Sequence, residues 1–76
     1  MEYSKSSGIE LLGPRIKEWR QDRNLSQQQL AEKIGVKSNS VSRYESGVAR
    51  PSIDVLIALA DFFGVSTDYL LGRTEF

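Results

Sequence analysis

Hydroxyls, carboxylates, amides and cations are the side chains able to do chemistry in this chain, because histidine and cysteine are both absent. The commonest general base and metal ligand is therefore missing, and so are a thiol nucleophile, a thiolate metal site and a disulfide framework. No serine or carboxylate has an imidazole or thiol to activate it. The expectation is a protein that is not an enzyme and that uses no cofactor and no metal. What stands out instead is the polar density of residues 38–46, where Ser38, Asn39, Ser40, Ser42, Arg43 and Glu45 surround only Val41 and Tyr44. As a helix this segment is too polar for a core element, so its outer face is available to something outside the fold.

The elements that must hold this segment follow from length and local signals. A chain of 76 residues makes one domain. At this size only about 60% of the unfolded surface is buried, so the core must be efficient. Residues 1–8 are polar and read as a flexible N-terminal arm, residues 9–72 as the folded domain and residues 73–76 as a C-terminal tail. Gly13-Pro14 predicts the start of a first helix over 14–23, because proline suits the first helical position. Leu12, Ile16 and Trp19 share one face at 3–4 residue spacing. Ser26 and Gln29 form a capping box flanked by Leu25 and Leu30 as a hydrophobic staple. They predict a second helix over 27–34 that ends at Gly35. A third helix over 38–46 closes at Gly47. Ser52 caps a fourth over 53–63, with Asp54 in its first turn and Gly64 at its end. Ser66 caps a short fifth helix carrying Asp68, stapled by Val65 and Leu70.

No segment alternates as a strand would and no repeat is present, so the expected fold is all-α, a compact bundle of five short helices. The expected core is Ile16, Trp19, Leu25, Leu30, Ala31, Ile34, Val41, Tyr44, Leu56, Leu59, Ala60, Phe63, Val65 and Leu70. The longest apolar stretch, Val55 to Ala60, is broken by Asp61. A membrane span needs about 20 apolar residues, and the first residues, MEYSKSSG, have no apolar signal region. The expectation is a cytoplasmic protein with no membrane association.

Residues 27–46 combine a short helix, a sharp glycine turn at Gly35 and a second helix, with Ala31 small where the two approach. This is the physical recipe of a helix-turn-helix. The chain resembles the lambda-repressor/Cro-like helix-turn-helix regulators, also called the XRE family. The segments that carry the resemblance are LGPRIKEWRQDRNLSQQQLAEKIGV, SVSRYESG and PSIDVLIALADFFGVSTDYLLG, within residues 12–72. Leu25-Ser26-Gln27, Leu30-Ala31, Gly35-Val36, Tyr44-Glu45-x-Gly47 and Asp68-x-Leu70-Leu71-Gly72 occur in the family's order. The resemblance implies a five-helix lambda-repressor-like domain whose third helix enters the DNA major groove. Ser38, Asn39, Ser42 and Arg43 then fall at base-reading positions. Their chemistry agrees, since arginine pairs with guanine and asparagine with adenine, while serine is permissive. Gln27 matches a phosphate-contacting position. Lys37 and Arg50 flank the reading helix and are expected to meet phosphates, as are Lys33 and Arg15. The family usually has a small hydroxyl where Lys37 stands. If Ser38 caps the helix instead, the helix starts one residue later and that hydroxyl is occupied.

The net charge is zero, from 10 Lys+Arg and 10 Asp+Glu. It divides unevenly along the chain. Residues 33–50 hold Lys33, Lys37, Arg43 and Arg50 against Glu45, whereas residues 51–76 hold Arg73 against Asp54, Asp61, Asp68 and Glu75. The resemblance pairs Glu45 with Arg20 on the first helix. A buried structural pair costs about 3–5 kcal/mol to break, and a surface pair about 0–1 kcal/mol. The structural pair is the expectation. On the fourth helix Val55, Ala58 and Phe62 lie off the inner face. They form either a dimer surface or the seat of the N-terminal segment through Tyr3, Ile9 or Leu11. Tyr69 and Phe76 could join either surface.

The expected function is a sequence-specific DNA-binding transcriptional regulator, a phage-type or small bacterial repressor. It would act as a homodimer on palindromic double-stranded DNA, with half-sites ~34 Å apart. No small-molecule ligand is inferred, and no fused ligand-binding or self-cleaving domain is expected to control it. The competing reading is a protein-interaction module or antitoxin-like partner protein on the same fold.

Overall fold

Gly13 sets how closely the first helix approaches the third. The computed structural model describes residues 9–76, so the arm expected over residues 1–8, with Tyr3, lies outside the described residues. A single 3-10 turn, Ile9–Leu11, leads into α1, Leu12–Asp22. The helix thus begins two residues before the expected start at Pro14. Pro14 is tolerated in the first turn, where backbone N–H groups have no intrahelical acceptor. Gly13 is buried inside that turn. A Cβ there would lie 2.5 Å from the carbonyl oxygen of Glu45 and 2.7 Å from that of Tyr44. The glycine is therefore a contact point between helices rather than the punctuation its Gly-Pro sequence implied.

The remaining elements match their sequence signals. They are α2 (Gln27–Ile34), α3 (Ser38–Ser46), α4 (Ile53–Phe63) and α5 (Thr67–Leu70). No strand occurs among the described residues. The capping box is formed: Ser26 Oγ accepts from the Gln29 backbone N–H at 3.0 Å, and Gln29 Oε1 accepts from that of Ser26 at 2.8 Å. Gly35 ends α2 in the left-handed conformation at φ 77°, which is accessible to glycine without steric cost. The α1–α2 turn instead uses Asn24 at φ 57°, one of the few non-glycine types that enters that region readily. Lys37 occupies the N-cap position of α3 without a side-chain cap. Ser38 is thus the first helical residue and not the cap.

The buried core is Leu12, Ile16, Leu30, Ala31, Ile34, Val41, Leu59, Ala60, Phe63 and Leu70. Leu12 joins it because α1 starts early. Trp19, Tyr44, Leu56 and Val65 are half-buried and pack around it. Leu25 is also half-buried. Trp19 meets Phe63 at 6.1 Å between ring centroids and Tyr69 edge-on at 6.2 Å. Its indole N–H donates to the Tyr69 hydroxyl at 3.0 Å. Arg23, just past α1, donates to the carbonyls of Phe62 at 3.1 Å and Phe63 at 2.9 Å. It thereby satisfies orphan acceptors at the end of α4. No helix is long and apolar enough to cross a membrane among the described residues.

Gly13→Ala is expected to destabilise the fold by about 1–3 kcal/mol, the usual cost of forcing a methyl into a filled contact. Urea unfolding measures it; an unchanged midpoint would mean that α1 can back away from α3 without loss.

Candidate nucleic-acid interface

At 100° per residue, Ser38, Asn39, Ser42 and Arg43 fall within an arc of about 140° on α3. Ser46 lies inside the same arc. All five are exposed. Val41 is buried on the opposite arc, where Ser40, Tyr44 and Glu45 are half-buried. The side chains of Ser38, Asn39, Ser42 and Arg43 form no hydrogen bond or ion pair among the described residues. Ser46 Oγ donates to the Arg43 carbonyl at 3.2 Å. The helix thus offers uncommitted donors and acceptors on one side and is anchored on the other.

The anchor is a charge network. Arg20 Nε donates to Glu45 Oε2 at 2.6 Å and Arg20 Nη2 to Glu45 Oε1 at 3.0 Å. The side chains are 11% and 5% exposed. The third donor, Arg20 Nη1, reaches the Leu25 carbonyl at 2.8 Å. The hydrogen bond to Glu45 raises the Arg20 pKa above its ordinary value, with Coulombic attraction adding and burial opposing. Both charges therefore have their fork geometry filled, the condition under which a buried pair holds. The expected structural pair is present.

The phosphate candidates separate into groups. Lys37 and Arg50 are exposed and flank α3 in sequence. Gln27 is half-buried at the start of α2, and its Nε2 donates to Glu45 Oε1 at 3.1 Å. Lys33 is exposed, but six residues along α2 turn it about 120° away from Gln27, beside a hollow shared with Leu25, Gln29 and Glu32. Arg15 has internal partners. Its guanidinium lies 4.1 Å over the Tyr69 ring and donates to the carbonyls of Tyr69 and Thr74. Through Nη1 it ties α5 and the chain after it to α1. Its partners are backbone carbonyls, which leave no trace in residue identity.

The apolar stripe of α4 is partly covered within the fold. Val55, Ala58 and Phe62 are half-buried and packed against the core. Phe62 lies 5.4 Å from Phe63 and 5.6 Å from the Arg23 guanidinium. Tyr69 is taken up by Trp19 and Arg15. The exposed large apolar side chains among the described residues are Ile53 at 76% and Ile57 at 46%, one turn apart on α4, Val48 at 67% in the preceding loop, and Leu11 and Phe76 towards the two ends. The i, i+4 spacing of Ile53 and Ile57 was a legible signal. Among the described residues no carboxylate cluster is placed to hold a metal ion.

The family model described as Helix-turn-helix matches residues 16–70. The chain belongs to the lambda-repressor-like helix-turn-helix family. Among the curated members of this family, the HTH-type transcriptional regulator ImmR of Bacillus subtilis is 44% identical over 64 residues, covering 84% of this chain and 50% of that protein. The HTH-type transcriptional regulator AnsR of the same organism is 42% identical over 61 residues, covering 80% and 53%. The chain thus spans about half the length of these helix-turn-helix relatives. The crystal structure of the P22 c2 repressor in complex with a synthetic operator superposes with a TM-score of 0.80 at 31% identity, covering 84% of this chain and 97% of that one. The N-terminal DNA-binding domain of SinR from Bacillus subtilis gives 0.73 at 35% identity, covering 80% and 90%.

Glu45→Ala is expected to cost about 3–5 kcal/mol of folding stability, because Arg20 is left buried without its counter-charge. Thermal and urea unfolding measure this. A loss under about 1 kcal/mol would place the pair with ordinary surface pairs.

Proposed function

We propose that this helix-turn-helix chain is the DNA-binding part of a cytoplasmic transcriptional repressor of phage type or small bacterial type. It reads the major groove of double-stranded DNA with α3, as a homodimer on a palindromic operator. The observation that carries this reading is the exposed arc of α3, on which the side chains of Ser38, Asn39, Ser42 and Arg43 have no partner among the described residues while the opposite arc is anchored. Support comes also from its structural relatives, two of which are repressor or regulator complexes with DNA.

The roles follow from chemistry. A major groove about 12 Å wide admits one helix. Within it Arg43 pairs with the two acceptors of a guanine and Asn39 with an adenine, while Ser38 and Ser42 make permissive contacts. Lys37, Arg50 and Gln27 meet phosphates, with Lys33 at the margin. Phosphate contacts fix register and carry little sequence information.

The second copy docks through Val48, Ile53 and Ile57. Fully burying one such side chain is worth about 1.5–3 kcal/mol, against roughly 4–15 kcal/mol of lost freedom on association. Three partly exposed residues per copy make a weak dimer, one that DNA completes by holding both copies on adjacent half-sites.

Selection from random double-stranded DNA tests the reading. The expected product is a two-fold-related site with half-sites ~34 Å apart. Failure of any sequence to compete better than random DNA at moderate salt would overturn it. On the selected site Arg43→Ala is expected to cost about 1–3 kcal/mol and relax preference at one base position. Equal weakening on every sequence would make Arg43 a phosphate contact. Ile57→Asp is expected to abolish cooperative occupation of the full site in gel-shift titrations while leaving half-site affinity intact. Retained cooperativity would remove the α4 surface from the dimer.

A further inference from the structure

We infer that Glu45 is a positioning residue for DNA binding: by accepting the Gln27 amide N–H, it fixes which end of that amide faces the phosphate backbone. The inference rests on the DNA-binding reading above and adds a role for the buried ion pair beyond holding the fold.

The geometry is a relay of three side chains from three helices. Glu45 Oε1 accepts from Arg20 Nη2 at 3.0 Å and from Gln27 Nε2 at 3.1 Å. Glu45 Oε2 is taken by Arg20 Nε at 2.6 Å. A glutamine amide has an acceptor end and a donor end that are nearly the same size and exchange by a half-turn. Unrestrained, Gln27 would present its carbonyl oxygen outward as readily as its nitrogen, and an oxygen facing a phosphate is repelled. A carboxylate paired with arginine is acceptor-only. The reversed amide would set oxygen against oxygen, so Glu45 excludes it. Nε2 carries two hydrogens, and Glu45 uses one. The other is left to donate to a phosphate oxygen, in a side chain whose rotamer freedom was surrendered when the protein folded. Arg20 completes the device by neutralising Glu45, which would otherwise set a bare negative charge near the backbone of DNA.

The pair Glu45→Gln and Gln27→Met tests this on the selected operator and on copies carrying a neutral methylphosphonate at single backbone positions. A glutamine at position 45 keeps the shape but can present either amide end to Gln27, so the constraint is lost. In the unaltered protein, neutralising the phosphate that faces Gln27 is expected to weaken binding about tenfold or more, as for one hydrogen bond to a charged group. Each variant is expected to lose a similar factor on the natural backbone and to become insensitive to that one neutral position. The double variant should bind no worse than Gln27→Met alone. Sensitivity to the phosphate facing Lys37 should persist, which shows that α3 still docks.

If Glu45→Gln weakens binding equally at all positions and keeps the Gln27-specific sensitivity, Glu45 is merely structural and the inference fails. If no phosphate senses Gln27→Met while the operator is still bound, the inference fails and the DNA-binding reading survives. If no operator can be selected, both fail. Circular dichroism checks that Glu45→Gln folds. Should it not, the Gln27 side-chain amide of the unaltered protein decides by proton exchange. One protected N–H in the free protein, joined by the second only on the operator, supports the relay; two rapidly exchanging N–H groups overturn it.

Discussion

Glu45 is bound to the first helix at two levels. Its backbone carbonyl packs against Gly13, and its carboxylate takes the fork of Arg20. The two contacts lie about two turns apart on α1, so they set both the spacing and the rotation of α3 against it. Through the Leu25 carbonyl and the Gln27 amide the same two side chains also reach the turn and the start of α2. A bidentate pair is geometrically demanding, and a buried charge without its counter-charge is expensive. Those two facts convert one ion pair into a restraint on three helices. In a domain this small, where the apolar core is limited, such a restraint gives the outward face of α3 a fixed direction.

The neutral net charge hides a separation. The basic side chains Lys37, Arg43 and Arg50 are exposed around α3, whereas Arg15, Arg20 and Arg23 are engaged in holding helices together. Acidic side chains predominate after Pro51. Long-range attraction to a polyanion is therefore weak for the molecule as a whole and concentrated at one surface. An arrangement of this kind favours discrimination over indiscriminate coating.

Much of this was legible in residue order. Ser26 with Gln29, Ser52, Ser66 and the glycines after each helix mark α2 to α5, because caps are local chemistry between residues close in sequence. The polar arc of α3 is readable for the same reason. What escaped depends on contacts across the fold. Gly13 resembles a turn residue until the carbonyls of Tyr44 and Glu45 are placed beside it. Arg15 has the type of a phosphate ligand, but its acceptors are main-chain oxygens, which every residue carries. For Val55, Ala58 and Phe62 the sequence leaves a dimer surface and an internal seat both open, because helical periodicity gives faces and not how far neighbours extend over them. Phe62 is half-buried beside Phe63 and Arg23, while Ile53 and Ile57 are exposed.

The division of α3 into an anchored arc and an open arc also bears on how such a protein can change. Residues 38, 39, 42 and 43 contribute no internal side-chain bonds among the described residues, and surface substitutions of this kind usually shift stability by no more than about 0.5 kcal/mol. Residues 41, 44 and 45 carry the attachment. On the proposed reading, mutational drift can therefore explore new target preferences one position at a time without first acquiring a compensating stabiliser elsewhere. Diversity is permitted on one side of a single helix by the rigidity of the other.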